Sequence, residues 1–364
     1  MSFSAVIDYL IEKYFSLKKK NISQTVFDPE KILIIRQHNQ FGDLLASVSI
    51  FRALKENYTD SKITVIVSKD NYFAITKNKF VDKTFLFDKT QLFNPRYYFR
   101  LSKVLRNDYD VCIVPVTVAI SDTSCILCGL SDARMKIGPA SLDGKENKLS
   151  NIFDKSVVMN WQENPDRNVS DFGQDILKPL GIRTNNLTSE ITFDKEDLKY
   201  ADLFLTKNEI NKRRCKLVGL HVGAGKIPNR WSSEKFAELI KLISKEMDVS
   251  FYLTGTDADL ECINGVLNKI EFVIPLFLNK TVPEVAALIS KSDLFITNDT
   301  GIMHVAGAVS VPQISIFGPT NPLNWAPVGK NKYWIKNSDD IDSVSIKEIF
   351  DLAGKILSTN NNRN

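Results

Sequence analysis

One pattern constrains this chain more than any other, and it occurs twice. Short aliphatic runs lead into loops rich in glycine and polar residues, and each loop opens into a helical pattern. In the first half Lys31–Gln37 (KILIIRQ) passes through HNQFGD into a helical stretch from Leu44 to about Tyr58. Ile63–Val67 and Val111–Val116 are further strands, and a helix covers the Cys125 region. Uninterrupted apolar runs of this length suit strands buried on both faces, as in parallel sheets covered by helices. Strands alternating with helices predict a doubly wound α/β domain.

The second half repeats the plan. Lys216–His221 is a strand leading into VGAGKIPNRW, and Ser233–Glu246 is a helix with Ser232 as its cap. Phe251–Thr254, Phe272–Phe277, Leu294–Thr297 and Gln313–Phe317 are further strands, and Val282–Ser290 and Ile302–Val309 are helices. Between Asp143 and Arg167 the chain reads as polar and irregular, whereas Phe172–Leu180 is helical and ends at Gly181. The expected organisation is a helix at 1–21, an α/β domain at 22–181, a linker at 182–195, an α/β domain at 196–344, and a helix and tail at 345–364. Such sheets bind ligands outside the carboxyl ends of their strands.

The 364 residues, 43% hydrophobic and 25% charged, supply two ordinary cores. A net charge of +4 is too mild for a nucleic-acid binder. No apolar run reaches the length of a membrane-spanning helix. In residues 1–20 Asp8 and Glu12 interrupt the apolar residues, so no secretory signal is expected. Phe3, Val6, Ile7, Leu10, Ile11, Tyr14 and Phe15 share a helical face ahead of Lys18, Lys19 and Lys20. That helix lies either on an anionic membrane or on the protein's own surface. The five scattered cysteines fit a reducing cytoplasm, and Cys125 and Cys128 read as buried thiols, because no second ligand pair accompanies them.

Three loops carry candidate chemistry. Asn298-Asp299-Thr300-Gly301-Ile302-Met303-His304 runs from a strand into a helix. Gly301 permits close backbone approach, free N–H groups at the helix start favour phosphate, and Asp299 suits sugar hydroxyls. His221 to Trp231 (HVGAGKIPNRW) sets small residues beside cations, which suits a diphosphate. It lacks Walker A spacing. Phe41-Gly42-Asp43 places a carboxylate where it could take a proton from a hydroxyl. Each loop, read alone, is equally an ordinary helix cap or turn. His38, His221 and His304 fall one in each loop, with no metal-ligand spacing.

Together ILIIRQHNQFGDLLASVSIFRALK, GLHVGAGKIPNRWSSEKFAELI, FYLTGTDAD and SDLFITNDTGIMHVAGAVSVPQISIFGPTNP resemble glycosyltransferase family 9, the ADP-heptose:lipopolysaccharide heptosyltransferases. The resemblance spans roughly residues 31 to 330. It implies a GT-B fold, two Rossmann-like domains facing each other across a cleft. It implies inverting transfer of heptose from ADP-heptose to a hydroxyl of a lipopolysaccharide-core or other lipid-linked acceptor. The expected location is the cytoplasm, with peripheral attachment to the cytoplasmic face of the inner membrane if residues 1–20 lie on the bilayer. No cofactor is required, and magnesium is not predicted.

The resemblance makes Asp43 the base and assigns the donor to Asp299, Thr300, Gly301 and His304. Gly223, Ala224, Lys226, Asn229, Arg230 and Asp259 complete the expected donor set, Asp259 near the ribose. Members usually carry a lysine where this chain has Asn229, so Arg230 or Lys226 is expected to supply that charge. Other readings are a different nucleotide-sugar donor, a protein or capsule acceptor, a nucleotide-sugar 2-epimerase, and a non-catalytic nucleotide-sugar-binding protein.

Overall fold

The computed structural model describes residues 28–37, 41–211 and 215–359. The helix expected within 1–21, His38 and the last five residues lie outside them. The chain divides into two compact units, Met1–Leu187 and Thr188–Asn364.

The first unit is built on β1 (Lys31–Ile35), β2 (Lys62–Val67), β3 (Lys83–Leu86), β4 (Val111–Ile113), β5 (Met135–Leu142), β6 (Lys145–Glu146) and β7 (Lys155–Met159). The order is β3-β2-β1-β4-β5, and both β6 and β7 pair with β5. Only the β5–β6 pair is antiparallel. Ile32 to Ile35 are fully buried, as an aliphatic strand sandwiched by helices must be.

The stretch read as irregular from Asp143 holds a hairpin and a strand. Asp143 and Gly144 take φ of 51° and 76°, the mirror-image turn that an Asp-Gly pair favours. β7 (KSVVM) escapes notice because it is an edge strand with Val158 exposed. The helix expected over Phe172–Leu180 is instead one α-turn, Val169–Phe172, followed by 3-10 turns over Gly173–Leu180, with Pro179 near their end.

The second unit carries β8 (Lys216–His221), β9 (Val249–Gly255), β10 (Leu276–Leu278), β11 (Leu294–Asn298), β12 (Gln313–Ile316) and β13 (Lys332–Ile335). All are parallel, in the order β10-β9-β8-β11-β12-β13. The strand expected at Phe272–Phe277 is shorter and later, because Pro275 has no N–H for a ladder and Val273 is exposed. Ile349, Ala353 and Ile356 of the C-terminal helix, Ile346–Thr359, lie in the core with Phe236, Ile240 and Ile243 of Ser233–Glu246. That helix is therefore part of the second unit's core.

Both sheets share one order in their own numbering, third-second-first-fourth-fifth. The order reverses between first and fourth strands, and the loops after those two strands diverge into a crevice where ligands bind. Asp43 and residues 114–121 stand there in the first unit. Residues 222–231 and 299–301 stand there in the second.

Candidate functional site

In the first unit Asp43 lies in the short helix Phe41–Ala46 after β1 and is 2% exposed. Thr117, after β4, donates to Asp43 Oδ1 at 2.7 Å. Arg36, which follows β1, donates to Thr117 Oγ1 at 2.7 Å and to the Pro115 carbonyl at 3.4 Å. Its Nη2 stands 3.7 Å from Asp43 Oδ1. Burial lowers the guanidinium's pKa, and the negative charge of Asp43 opposes that shift. Asp43 Oδ2 is buried and has no hydrogen-bond partner among the described residues. Trp161 Nε1 donates to the Thr117 carbonyl at 2.8 Å, and its ring stacks on Phe172 at 3.9 Å. The result is a carboxylate pinned by one oxygen, with the other available to accept a proton.

In the second unit the loops after β8 and β11 are tied together. Asn298, fully buried at the end of β11, donates to the carbonyls of Val222 and Gly223 at 3.0 and 3.3 Å. Its Oδ1 accepts from the Trp231 amide at 3.2 Å. Asn229 donates to Asp299 Oδ2 at 3.0 Å and to the Asp299 carbonyl at 3.2 Å. Burial raises the pKa of Asp299, against a hydrogen bond from Thr320 and the charges of His304 and Lys226. Asp299, Thr300, Gly301, His304, Lys226 and Asn229 thus belong to one neighbourhood, with Thr300 and Gly301 partly exposed at the helix start.

Arg230 turns back on its own loop. Its Nε donates to the Ala224 carbonyl at 2.7 Å, and Nη1 is 3.9 Å from the exposed Glu261. Lys226 is exposed. Asp259 caps a turn, its Oδ2 accepting from the Thr256 amide at 2.8 Å and hydroxyl at 2.9 Å. Its Oδ1 abuts Gly223, where a Cβ would lie 2.0 Å away. Glycine is required there by this close approach. His221 faces the Thr254 carbonyl through Nδ1 at 3.0 Å. Burial lowers its pKa and so favours the neutral ring, against the charge of Asp259 and the hydrogen bond to Thr254.

Sequence reasoning missed Arg36, Thr117 and Trp161. A buried polar residue just past an aliphatic strand was the available signal for Arg36. Nothing local marks Thr117. Cys112, Cys125 and Cys128 are buried, and burial pushes the Cys125 thiol up to about 12. Among the described residues no group of three or more His, Cys, Asp or Glu side chains is placed to hold a metal.

The profile of glycosyltransferase family 9 (heptosyltransferase) matches residues 98–349. The chain is 27% identical over 304 residues to lipopolysaccharide heptosyltransferase 3 of Escherichia coli, covering 80% of this chain and 86% of that one. A glycosyltransferase family 9 crystal structure from Veillonella parvula superposes with a TM-score of 0.78 at 18% identity, over 92% of this chain and 99% of that one. The E. coli ADP-heptose LPS heptosyltransferase II superposes with a TM-score of 0.73 at 17% identity, over 91% and 99%. These likenesses establish an α/β fold of the GT-B type. The chain belongs to glycosyltransferase family 9 and is a glycosyltransferase.

Proposed function

We propose that this enzyme transfers a heptose from ADP-heptose, with inversion, to a hydroxyl of a lipopolysaccharide-core acceptor. The observation that carries the reading is the Asp43 carboxylate, anchored through Oδ1 and unsatisfied at Oδ2. Asp43 takes the proton of the acceptor hydroxyl. The oxygen attacks the anomeric carbon, and the bond to the diphosphate breaks, its electron pair leaving with ADP. General-base catalysis of this kind contributes about 10²- to 10⁴-fold.

The donor lies on the second unit. Asp299 accepts from sugar hydroxyls, and backbone N–H groups at Thr300 and Gly301 face the diphosphate. Lys226, exposed and near enough for its charge to favour the ionised Asp299, meets the charge that builds on the leaving group. Arg230 supports the loop instead. Asp259 orders the segment after β9 and sets how closely Gly223 approaches the donor. The acceptor reading is supported by the E. coli relative's name, and the donor by that of heptosyltransferase II. Among the described residues no helix is long and apolar enough to cross a membrane. A lipid-linked acceptor would bring the enzyme to the cytoplasmic face of the inner membrane as a peripheral protein.

One observation favours a second reading, a different sugar nucleotide. Asn229 is neutral and committed to Asp299, where the family usually has a cation. Thermal shift and nucleotide release with ADP-heptose against UDP-, GDP- and other ADP-sugars separate the two. Selective stabilisation by ADP-heptose, with ADP release that depends on a lipopolysaccharide-core acceptor, is expected. Preference for another sugar nucleotide would retain the mechanism and reassign the donor. Interconversion of the donor without acceptor would point to an epimerase.

A further inference from the structure

Lys332 opens β13 and sends its ammonium to the far end of the helix Gly301–Gly307. Nζ donates to the carbonyls of Ala306, Val309 and Val311 at 2.8, 2.7 and 2.7 Å. These oxygens lie in the last turn of the helix and the loop after it, where carbonyls lack helical partners and a cation is favoured. An ammonium has three N–H groups, so each oxygen receives one. No acidic side chain offsets its burial, which pulls the pKa down to about 7. Gln313 stands opposite Lys332 in the β12–β13 pair. Its amide donates to the Met303 carbonyl at 3.0 Å, nearer the start of the helix. Gly307 lets the same helix close on Pro327, where a Cβ would lie 2.4 Å from the proline's own. The helix is thus held near its middle by a fully buried amide and at its end by a charge.

We propose that Lys332 is a positioning residue for the sugar nucleotide. Its charge fixes the end of the helix that begins at Gly301, and so fixes where the turn before it presents Asp299 and the backbone N–H groups of Thr300 and Gly301. The inference rests on the donor reading given above. The grip depends on the charge, because a neutral amine has two N–H groups for three carbonyls and turns its lone pair on the third oxygen. Few other titrating groups face this ammonium. His304 lies on the helix, with Asp299 ahead of its start, and Lys330 and Tyr333 flank Lys332 in sequence. Glu190 belongs to the segment whose Ile191 amide reaches the Ala308 carbonyl at 3.5 Å. Residues 308–312 and β12 carry none.

The test titrates ADP-heptose into the full chain from pH 6 to pH 9, and follows hydrogen exchange of the amides of residues 301–309 without donor. Lys332→Met keeps an unbranched apolar stem and removes the charge. At pH 6 it should bind the donor on the order of ten-fold more weakly than the wild type. The two affinities should converge as pH rises through about 7, where the wild-type ammonium loses its proton. His304 and Asp299 are present in both proteins, so their own titration drops out of that ratio. Lys332→Arg stays charged throughout and should keep its affinity to pH 9 relative to Lys332→Met. Lys330→Met, at the exposed neighbouring position, should bind as the wild type does at every pH. Amides 301–309 should exchange faster in Lys332→Met. A ratio of affinities that is constant from pH 6 to pH 9 would reduce Lys332 to packing and overturn the proposal. Faster exchange with unchanged affinity would overturn it as well, since the helix would loosen without disturbing the donor. Should Lys332→Met fail to fold, the wild type against Lys332→Arg gives the same comparison, and affinities that stay parallel across the pH range count against the proposal. A wild type that binds neither ADP-heptose nor free ADP would overturn the donor reading and this inference with it, whereas donor binding with a constant ratio removes this inference alone.

Discussion

Asn229 donates to both the side chain and the backbone of Asp299, at 3.0 and 3.2 Å. One buried amide therefore sets the spacing of the two loops on which the donor is proposed to rest. A hydrogen bond to a charged group contributes about 1.5–3 kcal/mol. Asn229→Ala should weaken the sugar nucleotide by about ten-fold or more while leaving the fold intact. Isothermal titration with ADP-heptose reads this directly, and unchanged affinity would remove Asn229 from the donor site.

Asp43 and Arg36 predict a paired loss. Asp43→Asn should lower turnover by on the order of 10²-fold or more, with donor affinity little changed. It also leaves the buried Arg36 guanidinium without its nearby carboxylate charge, and breaking a buried pair costs about 3–5 kcal/mol. Urea unfolding should show that loss, and the double variant Asp43→Asn/Arg36→Met should recover stability without recovering turnover. Near-normal turnover in Asp43→Asn, measured on folded protein, would exclude Asp43 as the base.

Burial of Asp299 leads to a pH dependence. Its pKa is raised in the folded state, so between the ordinary carboxylate value and the raised one the native protein holds a proton that the unfolded chain has lost. Its contribution is fully present below the ordinary value and is lost as pH rises through the raised one. Asp299→Asn cannot ionise, so its stability should gain on the wild type as pH rises across that window. Denaturant titrations of both proteins from pH 3 to 7 check the sign. A wild type that becomes more stable relative to Asp299→Asn as pH rises would contradict it. Donor binding should fall in the same variant.

Gly223 and Asp259 form a steric pair. Gly223→Ala places a methyl group 2.0 Å from Asp259 Oδ1, and the loop or the carboxylate must move. Donor affinity should drop by on the order of ten-fold for a displacement of this kind. Adding Asp259→Gly removes the clash and should restore part of it. Equal weakening in the single and double variants would mean that Asp259 itself touches the donor.

Local pattern made the two α/β halves legible. Aliphatic strands ending at His221 and Asn298, and helices beginning after Ser232 and Thr281, follow from periodicity and capping within a few residues. The elements that escaped include edge pieces such as β7 and β13, whose exposed residues blur the apolar signal, and the interior strand β5, whose Gly138 and Pro139 interrupt its apolar run. An Asp-Gly turn at 143–144 was readable and marks a hairpin.

What the sequence determined by itself is the set of loops that lead from a strand into a helix, because each sits between its own two elements. What it could not determine is which loops meet. Thr117 reaches Asp43 across 74 residues, and Asn229 reaches Asp299 across 70. Both pairings exist because parallel strand order sets the first strand beside the fourth, and that order depends on packing two layers of helices against a sheet, not on any local preference. The partners that orient each acid were therefore decided only in the folded chain.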